Sequence, residues 1–183
     1  MVVFVEPKIS GVRADSVISS LGFPNSHRVE SRGFSSGIWI AWYKMISVEI
    51  IFSHFQFSHC RITHNRDCKS VLATTIYASP TKSYRKLLWP HLRRLAASIR
   101  SPWILFGDFN ATLKTMERPG CAITTKPSTK FQNLIFDYGL CEMGYLGPDF
   151  TWCRGLAQVR LDRFICNCYW DENFPECSVH HLL

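Results

Sequence analysis

"SPWILFGDFNAT", residues 101–112, joins an apolar strand to a turn that carries chemistry. Trp103 to Phe106 is an unbroken apolar run of strand length, the pattern of a strand covered on both faces. Gly107 ends the run, and Asp108 and Asn110 follow on alternate positions. In α/β proteins ligands gather at the C-terminal ends of such strands. Spacing of i, i+2 points two side chains the same way while the backbone stays extended. One group can then accept from or activate a water, and the other can donate to a phosphate oxygen. An Asx turn closing the strand is the simpler reading of the same residues.

Working outward, "VVFV" (2–5) reads as a strand ending at Glu6, and 14–23 as a short helix with Val17, Ile18 and Leu21 on one side and Gly22 as its stop. A glycine turn at 32–37 leads into "IWIAWY". Residues 46–52, 54–62 and 70–78 alternate or run apolar at strand length, with "THNRDCK" as a polar turn. The period then changes. Tyr84, Leu88, Leu92, Leu95 and Ile99 form a helical stripe opposite Lys86, Arg93, Arg94 and Arg100, with Pro90 marking a kink or a start. After the 113–127 loop, Thr129 and Gln132 form a capping box for a helix whose buried face is Phe131, Leu134, Ile135 and Tyr138, ended by Gly139. Short strand-like pieces fill the tail. Several consecutive strands lack an intervening helix, so the pattern predicts one α/β domain built as a mixed two-sheet sandwich flanked by helices.

At 183 residues, 46% apolar and 19% charged, the chain can bury a sizeable core. Glu6 and Pro7 stand where an export signal needs apolar residues, and eight scattered cysteines contain no CxxC pair. Reduced thiols and an intracellular, non-secreted chain are the reading. No apolar stretch has the length of a membrane span. Twenty-one basic against 14 acidic residues leave a net charge of +7, which favours a polyanionic partner, nucleic acid before membrane.

"WILFGDFNAT" resembles the Gly-Asp-Phe-Asn motif of the endonuclease/exonuclease/phosphatase family, the DNase I-like divalent-metal phosphodiesterases. In order along the chain, "FVEPKIS", "GFSSGIWIAW", "IYASP", "LGPDFTWCRG" and "RLDRFICN" resemble further segments of it, closest to the endonuclease domain of plant LINE-type retroelements. The resemblance implies a DNase I-like sandwich, Mg²⁺ or Mn²⁺ as cofactor, DNA as partner, no obligate protein partner and, in an intact element, fusion to a reverse transcriptase acting in the nucleus. It implies Glu6 and Asp108 as metal-binding residues and Asp108, Asn110, Tyr77 and Asp162 as catalytic ones. The family's opening Asn-x-Arg-Gly-like motif and closing Ser-Asp-His motif find no counterpart here. The expectation is therefore a domain lacking its first and last strands, weakly active or inactive by itself.

Each residue also has a plainer role open to it. Glu6 can be a solvated acid, Tyr77 core packing with a wet hydroxyl, and Asp162 a surface ion-pair partner of Arg160 or Arg163. Trp152 can stack on a base or pack in the core. Arg118 and Lys126, with Lys114 and Lys130, can track a phosphate backbone or line a solvated face. The set His54, His59, Cys60, His64 and Cys68 fits no common zinc module, and alternation along a hairpin scatters it over two faces. Binding without chemistry, and phosphatase action on inositol phosphates or lipids, are the rival functions.

Overall fold

The computed structural model describes residues 1–30, 37–120 and 126–182; Gly33 of the glycine turn and Cys121 lie outside them. The chain opens with β1 (Val2–Val5), α1 (Gly11–Ser20), β2 (Asn25–Val29) and β3 (Ile38–Trp42). These three strands form an antiparallel sheet in the order β1-β3-β2. Alternation divides its side chains. Phe4 and Trp39 pack on Ala14 and Ile18 of α1, while Val3, Val5, Ile38 and Ile40 face the other way. Sequence pattern missed β2, whose "NSHRV" is too polar to read as a strand. Its pairing with apolar β3, Val29 opposite Ile38, makes it one. Helix α1 starts at Gly11 rather than 14, and Leu21 follows it as an exposed cap.

The rest of the chain runs β4 (Ile46–His54), β5 (Phe57–His64), β6 (Ser70–Tyr77), α2 (Lys82–Arg85), α3 (Leu88–Ser98), β7 (Trp103–Asp108), α4 (Thr129–Asp137), β8 (Cys141–Glu142), β9 (Tyr145–Leu146), β10 (Trp152–Arg154), β11 (Ala157–Val159), β12 (Asp162–Cys166), α5 (Cys168–Asn173) and β13 (Val179–His180). Six of these strands form the main sheet in the order β4-β5-β6-β7-β12-β8. Only β6 and β7 within it run parallel, joined by the α2–α3 crossover. The expected mixed α/β sandwich is what the chain forms.

The main sheet buries Ile76, Trp103, Leu105 and Ile165 against Leu88, Trp89 and Leu92 of α3 and Phe131 and Leu134 of α4. Its other face carries Cys60, Ala73 and Ile104, and Tyr77 on this side packs against Ile38 and Ile40 of the small sheet. Burying each large apolar side chain contributes roughly 1.5–3 kcal/mol. Tyr77 therefore joins the two sheets at the end of the main sheet where β7 also finishes.

Three local readings change. Pro90 sits in the first turn of α3, where its missing N–H costs nothing, so the 82–100 stretch is two helices. Tyr84 is exposed rather than on the stripe. Ser128, not Thr129, caps α4 by accepting from Phe131 N at 3.4 Å, and the Gln132 amide donates to the Leu113 carbonyl. No helix among the described residues is long and apolar enough to cross a membrane.

Candidate active site

Why the sequence reads Gly-Asp-Phe-Asn follows from packing. Gly107 has φ of +122°, and a Cβ there would lie 2.1 Å from the Ile76 carbonyl oxygen of the parallel neighbour strand, so only glycine fits. Phe109 is fully buried and stacks on Phe131 at 4.8 Å between ring centroids. That ring anchors the turn from below and leaves the flanking Asp108 and Asn110 at the rim. The strand itself continues through Gly107 to Asp108.

Asn110 has φ of +45°, so the backbone is not extended there and the two side chains do not align through strand geometry. They meet through an Asx turn instead. One Asp108 oxygen accepts from Asn110 N at 2.6 Å, and the other accepts from Asn110 Nδ2 at 2.8 Å. The same Nδ2 donates to the Ala78 carbonyl at 2.8 Å. The simpler turn reading and the site reading thus describe one arrangement, because the turn is what fixes both carboxylate oxygens.

Register gathers the remaining residues. Asp108 pairs with Tyr77 on β6 and with Asp162 on β12, so the three stand in one row across adjacent strands. Glu6 follows β1, and its own φ of +57° is a second left-handed residue at this rim. It lies near enough to act electrostatically on Asp108, although more than a hundred positions separate them in sequence. The Asp108 pKa is pushed up to about 7, first by burial and then by Asp162, with Glu6 adding to it. The Asn110 N–H and Arg85 oppose that rise without cancelling it.

Asp162, Glu6 and Arg85 thus all act on Asp108, with two acids against one arginine, a charge arrangement that suits an added divalent cation. Among the described residues no group of three or more His, Cys, Asp or Glu side chains is placed to hold a metal ion. Mg²⁺ keeps most of its waters and takes one or two carboxylates, so an open site of this kind fits it.

The remaining predicted residues divide. Tyr77 is 1% exposed and belongs to the core between the sheets. Asp162 takes part in none of the ion pairs between described residues: Arg160 and Arg163 both bind Glu142, and Arg163 also binds Glu117. Arg118 and Lys126 line a groove of about 550 Å³ that begins at Asn110. Trp152 is 43% exposed on the separate β10–β11 hairpin, so it is not core. Arg93 does not face a ligand; it binds Asp137 at 2.8 Å and ties α3 to α4. His59 and Cys60 point to opposite faces of the main sheet. Burial, with Arg61 nearby, drives the His59 pKa down to about 4, while its Nδ1 lies 2.8 Å from Thr74 Oγ1. The described cysteines form no disulfide with one another.

Two residues escaped sequence reading. Arg85 is held by the carbonyls of Ser79 and Pro80 at 2.7 and 2.8 Å and acts on Asp108. Gln56, fully buried, accepts from Ser79 N and donates to the Tyr84 carbonyl, tying down α2, which carries Arg85, and the turn before it. Its position in the two-residue turn between β4 and β5 offered no signal.

Residues 8–173 match the model of the endonuclease/exonuclease/phosphatase family, a match that starts two residues after Glu6. Among solved structures, the endonuclease domain of TRAS1, a telomere-specific non-LTR retrotransposon, is similar at 16% identity and a TM-score of 0.54, over 80% of this chain and 68% of that one. Staphylococcus aureus beta toxin aligns at 12% identity and 0.57, over 91% and 72%. ANGEL2, a 2′,3′-cyclic phosphatase, aligns at 13% identity and 0.56, over 89% and 68%. No curated protein matches the chain. At these identities the structural likeness carries the fold, and the sequence match carries the family. The chain is a member of the endonuclease/exonuclease/phosphatase family.

Proposed function

We propose that the chain carries a divalent-metal-dependent phosphodiester hydrolase site of the endonuclease type, of retroelement origin, acting on DNA. The observation that supports it most is the meeting of Glu6 with Asp108, Asn110 and Asp162 at one rim, with Arg85 beside Asp108. Glu6 and Asp108 would hold Mg²⁺ or Mn²⁺, which when bound neutralises charge on phosphate oxygens. In the metal-free chain the Asp108 pKa is about 7; a bound cation would lower it and leave the carboxylate to position the attacking water. Asn110 holds both Asp108 oxygens in place, and a phosphate oxygen entering the row competes with the Ala78 carbonyl for its Nδ2. Asp162 adds negative charge that keeps the Asp108 proton affinity high. Tyr77 supports the row from the core and, if its hydroxyl reaches the phosphate, donates to it.

Retroelement origin and DNA as substrate draw on the ordered motifs, the net charge of +7 and the likeness to the TRAS1 endonuclease domain. A nucleus-located enzyme with a fused reverse transcriptase belongs to the same reading. A plasmid-nicking assay tests the proposal: slow nicking that needs Mn²⁺ or Mg²⁺ and disappears in Asp108→Ala supports it. Cleavage of a soluble phosphomonoester in preference to DNA would favour the phosphatase reading. DNA binding without any nicking would favour a binding module.

A further inference from the structure

The groove that begins at Asn110 is lined by charge of one sign. Lys82, Arg85, Lys86, Arg118, Lys126 and Lys130 line it, and no Asp or Glu does. They come from three separate segments: α2 and the residue after it, the residue that follows the short 3₁₀ turn at Thr115–Glu117, and residues 126–130 leading into α4. Sequence spacing alone would not collect them. None of the six takes part in an ion pair between described residues, whereas Arg28, Arg61, Arg93, Arg160 and Arg163 all do.

The groove is graded along its length. Arg85 and Arg118 at its inner end are half-buried, and the four lysines are exposed. Arg85 is pinned by two carbonyls and feels both Asp108 and Arg118. Arg118 Nε is buried with no partner among the described residues. Two arginines held close enough to repel, neither of them in an ion pair between described residues, form a fork for an anion. Because Arg85 also acts on Asp108, that anion would adjoin the row of acids. Four further lysines in the same groove exceed the charge of one phosphate group, which suits a ligand carrying a phosphate at each step of a chain.

We propose that this groove is the track for the substrate strand on one side of the scissile phosphate, with the first flanking phosphate between Arg85 and Arg118 and the next ones along Lys82, Lys86, Lys126 and Lys130. The proposal rests on the hydrolytic reading of the Asp108 row, and it adds a direction: this groove holds the strand on one side of the cleaved bond.

The test is equilibrium binding of labelled oligonucleotides in EDTA, where no hydrolysis occurs, as a function of salt. In the Lys82→Gln/Lys86→Gln/Lys126→Gln/Lys130→Gln variant, log K against log salt should flatten by about 0.7–0.9 for each phosphate that is no longer neutralised. Lys44→Gln/Lys69→Gln, at exposed positions outside the groove, should leave the slope unchanged. Arg118→Gln should flatten it further and should weaken binding of strands extended to one side of the site only. Equal flattening in the Lys44/Lys69 control would overturn the track, since general charge would then explain the binding. So would tighter competition by phosphoinositide vesicles than by an oligonucleotide, which would assign the groove to lipid headgroups. Asp108-dependent nicking with an unchanged salt slope would sink the track and leave the hydrolytic site standing. Groove-dependent binding with no nicking would do the opposite.

Discussion

Two acid clusters meet on β12, at neighbouring residues, and they follow opposite charge rules. Arg163 points into the helix-covered core, is fully buried, and binds Glu117 and Glu142. Arg160 binds Glu142 as well, at 2.9 Å, and lies over the Tyr145 ring. Two arginines thus answer two glutamates, and Glu117 also accepts from Leu113 N and Lys114 N. Asp162, one residue earlier, points to the opposite face beside Asp108, whose charge is opposed by burial, Asp162 and Glu6 and favoured by Arg85 and the Asn110 N–H. A cluster built for stability balances its charge, because an unpaired buried charge is destabilising. A cluster left unbalanced persists where another charge completes it.

Breaking the balanced cluster should have the largest effect. Arg163→Met leaves Glu117 and Glu142 without their buried partner and should cost about 3–5 kcal/mol in urea unfolding. A loss under about 1 kcal/mol would show that the network is not structural.

The unbalanced cluster should respond with the opposite sign. The folded-state pKa of Asp108 lies above its unfolded value, so the folded protein binds the extra proton between roughly pH 4 and 7. That contribution is complete below the unfolded pKa and is lost as pH rises through about 7. Asp108→Asn, which cannot ionise, should therefore stabilise the metal-free protein by roughly 2 kcal/mol at pH 8 and do little at pH 4. Destabilisation at pH 8 would mean that the carboxylate serves the fold.

Asp162→Asn and Glu6→Gln should each bring the Asp108 pKa down, Asp162 by more, as carboxyl NMR titration would reveal. The reverse order would displace Glu6 and Asp162 from the positions described. Lys8→Gln sets the lower limit. Its 3.5 Å pair with Glu6 is exposed, and its removal should move stability by less than about 0.5 kcal/mol.

The two clusters also differ in how far sequence announces them. Asp108 and Asn110 stand out because glycine and a buried phenylalanine bracket them, and the ordered motifs bring in Glu6 and Asp162. The premise of an extended backbone failed at Asn110, since its left-handed turn is set by Phe109 packing below. Arg163 gave a weaker signal: it shares a strand face with Ile165, which marks it as inward, yet its partners come from distant loops. The convergence of Arg85 with Arg118 is tertiary and leaves no trace in spacing. Strand β2 went unread because its apolar content sits in its partner, and Ser128 displaced Thr129 as cap by a shift of one residue.

The central claim is that Glu6, Asp108 and Asp162 form one site short of positive charge, and titration calorimetry with Mn²⁺ at pH 8 measures it most directly. Binding is the predicted result, weakened by at least the roughly tenfold typical of losing even an outer partner when Glu6→Gln or Asp108→Asn is made. Glu49→Gln, outside the site, should bind as the parent does. Mn²⁺ affinity indifferent to Glu6 and Asp108 would contradict the account.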